Sequence, residues 1–435
     1  MNKIFPFLIM AVTLCILTTC TKSSQEPYSG NWPNFRGVNC SGIASPGEKP
    51  PLDFSPKHNV IWQLPLPGGH SSPCIWGNNI FITGFDEDNK LMKMFCIDRK
   101  RGKIKWVREI SADSLEKVNP LSSPATATPA TDGEAVFFYF SSYGLLCYDF
   151  LGELKWELRI PVPRSRHGMG TSPIVTDNMV ILNCLGHLDD PRVLAINKAD
   201  GSTIWKYSLH QENYSGDSYS TPVIYKNQVI IYGSKDVSGY DLNTGLRVWY
   251  FDIGVTDAVC TPVLGNGIIY TTAHSTYGNP DMRAQFPDFK EIIRKYDLNN
   301  DYRVNRPEVK DYQFLTYPEK PEISDTFTIA DAFPTWDKNN DGFIDSLEWK
   351  VIDKYLASFF EKQGLKAIRL GGEGDISLSS FLWGNHDQVP HVSSPLFYNN
   401  HVYMIRDGGI ISCFDSERGN ILFRARPCHP GNRQK

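Results

Sequence analysis

The chain has 435 residues, 41% of them hydrophobic and 12% aromatic, with a formal charge of −4. That is an ordinary globular composition with room for one large domain or two smaller ones. The mild acidity and the lack of a long basic run argue against nucleic acid as a partner. Gly and Pro recur between short β-rich runs, which predicts an all-β protein with many turns.

The first element is a leader. Lys3 precedes an apolar run from Ile4 to Leu17, too short for a comfortable membrane helix and suited to a signal-peptide core. The run ends in Leu17-Thr18-Thr19-Cys20 and a polar tether. It resembles a bacterial lipoprotein signal, which implies that Cys20 is lipidated and becomes the mature N-terminus. Thr19 is larger than the Gly, Ala or Ser usual before such a cysteine, and the bland alternative is a secretory signal with an incidental Cys. A lipid chain adds about 0.8 kcal/mol per buried methylene, and stable anchoring takes more than one chain. Both readings imply export.

Next comes Asn31–Ala44 with Trp32, Phe35, Arg36 and Gly37. Two aromatics so close to a tether must pack on something, so this stretch is expected to clasp the main domain. The repeats follow. Tyr240–Trp249 reads YDLNTGLRVW, with close copies at Ile97–Trp106, Tyr148–Trp156, Ile196–Trp205 and Phe414–Phe423. In each, a β-rich run meets a polar turn closed by Gly, and a short strand then ends in Trp or Phe. The Gly supplies the positive φ of a tight turn. A second signal opens each unit: Ser72-Pro73, Thr128-Pro129, Ser172-Pro173, Thr221-Pro222, Thr261-Pro262 and Ser394-Pro395. Proline at the start of a strand costs no ladder hydrogen bond. Each unit therefore reads as four antiparallel strands, and about 40–50 residues per such unit describes a β-propeller blade.

These units resemble the PQQ-like propeller repeats of bacterial exported proteins, over most of Asn31–Phe423. The WPNFRG stretch and AIRLGG (Ala367–Gly372) also look like that family. The resemblance implies an all-β propeller. Six full blades are visible, and seven or eight are expected in an intact ring. It leaves function open, because the fold hosts enzymes and scaffolds alike. Trp62 closes a strand with no preceding three of its own, the sign of an orphan strand completing a last blade. The chain ends soon after its sixth unit, so the expectation is a shortened C-terminus and an open ring, which exposes strand edges.

Of ten cysteines, Cys96, Cys147 and Cys413 fall just before the polar turns, while Cys74 and Cys260 flank the Ser/Thr-Pro signals. They read as small core residues. Cys40 and Cys428, nearer the ends, are the better candidates for a disulfide.

The closing aromatics Trp62, Trp106, Trp156, Trp205, Trp249, Trp383 and Phe423 lie 44, 50, 49, 44, 134 and 40 residues apart. One gap is too long, so a segment has been inserted in the blade that opens at Thr261-Pro262. There the period turns helical, with Phe289, Ile292, Ile293 and Tyr296 on one face. That run leads into a loop with Asp297, Asn299, Asp301, Arg303, Asn305 and Glu308. A second loop carries Asp337, Asn339, Asp341, Phe343, Asp345 and Glu348 and runs into the helical stretch Trp349–Phe360. Both resemble the EF-hand loop. Calcium takes six to eight oxygens at about 2.3–2.6 Å, and a twelve-residue loop offers them from positions 1, 3, 5, 9 and 12 plus a backbone carbonyl at 7. Arg303 and Phe343 would give that carbonyl, and Val304 and Ile344 would pair the two loops. The bland reading is an acidic, turn-rich surface, which two near-complete matches 40 residues apart make a poor account. Gly342 suits the sharp turn at position 6 of the second loop. Tyr302 does not suit it in the first, at a cost on the order of 1 kcal/mol. The second loop also has four carboxylates to the first loop's three, so it is expected to bind calcium more tightly.

The chain thus divides into a signal peptide (1–19), a tether (20–30), a first propeller part (31–284), an EF-hand insert (285–364) and a second propeller part (365–435) expected to be truncated. His70, His167 and His391 precede Ser/Thr-Pro signals and would face one channel mouth, where a metal or anion is one reading and backbone-bonded loop histidines the blander one. Gly384-Asn385-His386-Asp387 matches one metallophosphoesterase motif superficially and stands without that family's others. A quinone (PQQ)-dependent dehydrogenase with its site in the channel is the competing functional reading. Those enzymes carry an adjacent Cys-Cys pair, which is missing here, so PQQ is not an expected cofactor. No nucleophile elbow, HExxH or P-loop occurs either. The expectation is a non-enzymatic, lipid-anchored propeller of the periplasm or outer membrane. It would carry a structural calcium pair and bind an unidentified protein partner, with a scaffold lipoprotein of the barrel-assembly machinery as the nearest analogy.

Overall fold

The computed structural model describes residues 30–119, 122–165, 167–209, 218–254, 258–274, 287–315, 326–387, 389–406 and 408–426. The expected signal peptide, Cys20 and Cys428 lie outside these. Each sequence unit folds into an antiparallel sheet of four strands paired in chain order, the fourth sheet being extended by one short parallel strand. Six such sheets span 74–111, 130–159, 174–208, 223–252, 263–385 and 396–425, the blades of an all-β propeller. Middle strands such as Ala135–Phe140 and Met179–Cys184 are buried almost throughout, while fourth strands such as Leu154–Arg159 bury little beyond their Trp. Core clusters run from each sheet into the next: Phe81 and Phe138 join the first two, and Tyr270 and Val402 the last two.

The closing tryptophan joins one sheet to the next. The Trp156 indole donates to the Lys198 carbonyl at 2.9 Å and lies over Gly201, where a Cβ would meet the ring at 2.6 Å. Trp106, Trp205 and Trp383 repeat the arrangement on Phe150 and Gly152, on Leu242 and Gly245, and on Ser416 and Gly419. Trp62 does the same to Arg99 and Gly102 of the first sheet, so it docks as a fourth-strand residue would. Trp249 departs from the series. Its indole bonds Gln228 of its own sheet and covers Gly239. The fifth sheet has no short polar turn to receive it. Instead Gly374–Asp375, from the long link after Gly364–Arg369, adds in parallel to strand Arg247–Asp252. Phe423 at the outer strand of the sixth sheet is 47% exposed, whereas the docked tryptophans are 8% exposed or less at Trp106, Trp156, Trp205 and Trp383.

The Ser/Thr-Pro signals form a second connection. The backbone N–H of each hydroxyl residue donates to the hydroxyl of the next: Ser72 to Thr128, Thr128 to Ser172, Ser172 to Thr221, Thr221 to Thr261, and Thr261 to Ser394, at 2.9–3.3 Å. The following Pro holds its predecessor extended and has no N–H of its own, so the hydroxyl residue supplies both donor and acceptor. All six inner strands are tied in series around the axis.

The 31–42 segment clasps the domain as expected and does so at the inner strands. Trp32 pairs with Ile75, and Thr131 donates to the Pro33 carbonyl. Asn39 exchanges two bonds with Ile224, and the Arg36 guanidinium donates to the carbonyls of Pro395 at 2.7 Å and Ser394. One short stretch thereby touches sheets one, two, four and six. Cys40 belongs to this packing and corrects the disulfide expectation. It is a free, fully buried thiol donating to the Pro222 carbonyl, and burial pushes its pKa up to about 12. Cys74, Cys96, Cys147, Cys260 and Cys413 are buried and free, as expected of core residues.

The break in the fifth sheet falls between its second strand, Ile268–Ala273, and its third, Gly364–Arg369, which still pair in register as neighbours. The excursion returns the chain to the place it left. No helix among the described residues is long and apolar enough to cross a membrane.

Candidate functional site: the acidic loops and the channel rim

Helix α1 (Phe289–Tyr296) is capped by Asp288, whose carboxylate accepts from the Lys290 N–H. Helix α2 (Ile329–Trp336) begins with a capping box between Thr328 and Asp331, and α3 (Ser346–Lys362) follows the second loop. Their apolar faces meet in a separate small core of Ile292, Val304, Ile329, Phe333, Trp336, Ile344, Trp349 and Ile352. Trp349 packs between Phe289, tilted at 5.4 Å, and Trp336, edge-on at 6.0 Å. Val304 and Ile344 pair in a two-residue antiparallel bridge, which joins the acidic loops as their spacing predicted. A short hairpin, Gln313–Leu315 with Thr326–Thr328, lies between them and was not anticipated.

The two loops are wired alike. In the first, Asp297 accepts from the N–H groups of Asp301 and Tyr302, Asn299 from Asp301, and Asp301 from Arg303. Glu308 reaches back to the N–H of Leu298 and also accepts from Asn305. In the second, Asp337 accepts from Asp341 and Gly342, Asn339 from Asp341, and Asp341 from Phe343. Asp345 accepts from Leu347 and Glu348, and Glu348 closes the loop on the N–H groups of Lys338 and Asp345. Backbone donors thus fix each carboxylate, and each loop carries hard oxygens of the class that calcium takes. Among the described residues no group of three or more His, Cys, Asp or Glu is gathered tightly enough to hold a metal ion, so the carboxylates of neither loop are drawn together on one point.

The loops are unequal. Tyr302 sits at φ +62° and Gly342 at φ +85°, so the turn demands the left-handed region in both and only the second meets it without strain. Asp337 and Glu348 are each 8% exposed, whereas their counterparts Asp297 and Glu308 are half-buried. Arg303 lies over the Phe343 ring at 3.8 Å, with its guanidinium 3.6 Å from the Asp301 carboxylate and 4.0 Å from Asp341. A cation beside the Asp301 and Asp341 carboxylates opposes a second cation there, nearer and therefore more strongly in the first loop.

At the hydroxyl-linked end of the inner strands lies a polar rim that no motif announced. Glu116 is 6% exposed. It accepts from the Ser141 hydroxyl and from the Met169 N–H at 3.0 Å, while its own N–H donates to Ser142. Burial raises its pKa to about 7. Tyr139 contacts His187 at 3.4 Å, and burial, with Arg192 adding to it, lowers the His187 pKa to about 3. The only sequence signal for this group is that Ser141-Ser142 and His187 follow second strands ending at Phe140 and Cys184. The three signal histidines do not gather. His70 is exposed with its N–H on the Ala125 carbonyl, His167 packs on Tyr219 at 6.2 Å, and His391 meets His274 instead.

Residues 116–285 match the family described as "Outer membrane protein assembly factor BamB". With the six-sheet architecture, this bears out the resemblance to a PQQ-like propeller. No curated protein sequence matches the chain. Among solved structures the chain is similar to BamB from Moraxella catarrhalis, at 15% identity over 80% of this chain and 73% of that one, TM-score 0.46. It is also similar to the quinohemoprotein alcohol dehydrogenase ADHIIG from Pseudomonas putida HK5, at 13% identity over 84% and 67%, TM-score 0.39. A third is the computationally designed Ika8 protein, at 13% identity over 83% and 89%, TM-score 0.39.

Proposed function

We propose that this chain is an exported, lipid-anchored propeller of the cell envelope that works by binding a protein partner and is braced by a calcium-filled EF-hand pair. The observation that carries the calcium reading is the duplicated loop: two acidic loops with the same backbone-to-carboxylate wiring, joined through Val304 and Ile344. Calcium would be held by Asp297, Asn299, Asp301, Glu308 and the Arg303 carbonyl in one loop. Asp337, Asn339, Asp341, Asp345, Glu348 and the Phe343 carbonyl would hold it in the other. When bound, calcium supplies a charge that offsets the mutual repulsion of the carboxylates; the chain's own residues keep the loops closed and aligned. Its role here is structural, because calcium outside the cytoplasm is plentiful. The family match over 116–285 supports an envelope setting, and Cys20 carries the anchor.

Calorimetric titration of the full chain with calcium tests this reading. Two sites are expected, the tighter lost in Asp337→Ala and the weaker in Asp297→Ala, with the first loss the larger by at least tenfold in affinity. No heat in the parent chain would remove the calcium reading. The same purified chain offered PQQ with calcium tests the enzymatic alternative, since a tight complex with cofactor absorbance would displace the non-enzymatic reading.

A further inference from the structure

His274 follows the second strand of the fifth sheet directly, one register step past the Ala273–Gly364 pair. It is 2% exposed, and both of its ring nitrogens are buried without a hydrogen-bond partner. Whichever tautomer the ring adopts, one nitrogen keeps a bare lone pair, a rare condition for a buried polar atom. The ring beside it is His391, with centroids 4.4 Å apart and planes inclined at 41°. His391 stands three residues before the hydroxyl of Ser394, on the same rim. Two imidazoles therefore meet on the axial side of the interrupted blade, one of them sealed from water.

We propose that His274 and His391 are cis ligands of a divalent transition-metal ion of the copper(II) or nickel(II) class, at a site separate from the acidic loops. Imidazole suits such ions and calcium ignores it, because calcium takes hard oxygens. For two rings that each turn one nitrogen to a shared ion, with that nitrogen about 2.1 Å from the ion and about 1.2 Å from its own ring centre, a 4.4 Å centroid separation corresponds to an angle at the metal of about 84°. That is close to the cis angle of a tetragonal or square-planar site and well short of the tetrahedral angle zinc prefers. Oxygen donors, from water or backbone, complete such a coordination sphere.

One equivalent of Cu²⁺, added to the full chain saturated with calcium and in the presence of a weak competing chelator, tests the site by pulsed electron paramagnetic resonance. The expected spectrum is tetragonal, with two coordinated imidazoles. His391→Gln and His274→Gln should each leave one imidazole and weaken Cu²⁺ at least tenfold, while His70→Gln changes neither. Should His274→Gln fail to fold, His391→Gln on the less buried partner carries the test alone. Fewer than two imidazoles in the parent chain, or an unchanged spectrum in His391→Gln, would overturn the site. Zn²⁺ is expected to compete more weakly than Cu²⁺ and Ni²⁺, and a clear zinc preference would also overturn it.

Discussion

At the scale of single residues, the buried Glu116 and His187 give this protein opposed pH responses. Glu116 titrates near 4.5 when unfolded and at about 7 in the fold, so between those values the native state holds a proton that the unfolded chain has released. Stability from this residue is full below about pH 4.5 and is lost as pH rises through 7. A shift of this size is worth on the order of 3 kcal/mol. His187, held neutral down to about 3, acts the other way and loses stability as pH falls below about 6.5. Glu116→Gln retains a neutral hydrogen-bonding group and cancels only the first effect. Urea denaturation of parent and variant should therefore give equal stabilities near pH 4.5 and a variant more stable by about 3 kcal/mol at pH 8. A difference that stays constant with pH would mean that Glu116 is not buried as its contacts indicate. None of this is legible in the sequence. Glu116 lies in a stretch without periodicity, and its burial depends on Ser141 and Met169, which reach it from two other parts of the chain.

At the scale of elements, the repeated turn was legible in part. Its Gly and its positive φ follow from local backbone sterics, and the structure bears them out, with Gly201 at φ +76°. What fills the space above that Gly does not follow, because Trp156 arrives from the preceding sheet. Pattern reading groups the Gly and the Trp of one unit, whereas the physical partners belong to neighbouring units. Gly201→Ala tests the docking. Its Cβ would enter the left-handed region and meet the indole at 2.6 Å, so a loss of about 1–3 kcal/mol is expected. Gly267→Ala, also at positive φ but with only the Tyr225 hydroxyl nearby at 3.6 Å, should cost the backbone strain alone. Equal losses at the two positions would show that the indole contact contributes nothing. The acidic loops were legible to a greater degree, down to the Val304–Ile344 pairing, because the wiring of each loop is set within twelve consecutive residues. The intervening hairpin and the Arg303 side chain across both loops depend on tertiary packing and left no such trace. Helix α3 passes into strand Gly364–Arg369 through Gln363 alone. Order imposed on the second loop therefore reaches the blade without a flexible link.

At the scale of the whole molecule, two features hold six sheets together: indoles on the outside and hydroxyls near the axis. The Pro of each Ser/Thr-Pro signal accounts for the start of a strand, but it does not account for a hydroxyl at every preceding position. That unexplained regularity within one sequence was the available clue to the axial series. Each of the four inner members, Thr128, Ser172, Thr221 and Thr261, accepts one inter-sheet bond and donates another, so removing a hydroxyl strands the N–H of the sheet before it. Thr221→Val keeps the shape and takes away the acceptor of the Ser172 N–H, in a position where Ser172 is 2% exposed. An orphaned buried donor costs about 1–3 kcal/mol, so the urea midpoint should fall while the slope of the transition stays as in the parent. Thr176→Val is the control. Its hydroxyl bonds only within its own turn, to Met179, and it should shift the midpoint by less than half as much. If the axial series links the sheets into one cooperative unit, tryptophan fluorescence and far-ultraviolet circular dichroism will report the same lowered midpoint in Thr221→Val. Separate midpoints for the two probes would show that the sheets on either side of the broken Ser172–Thr221 link, the third and the fourth, unfold independently.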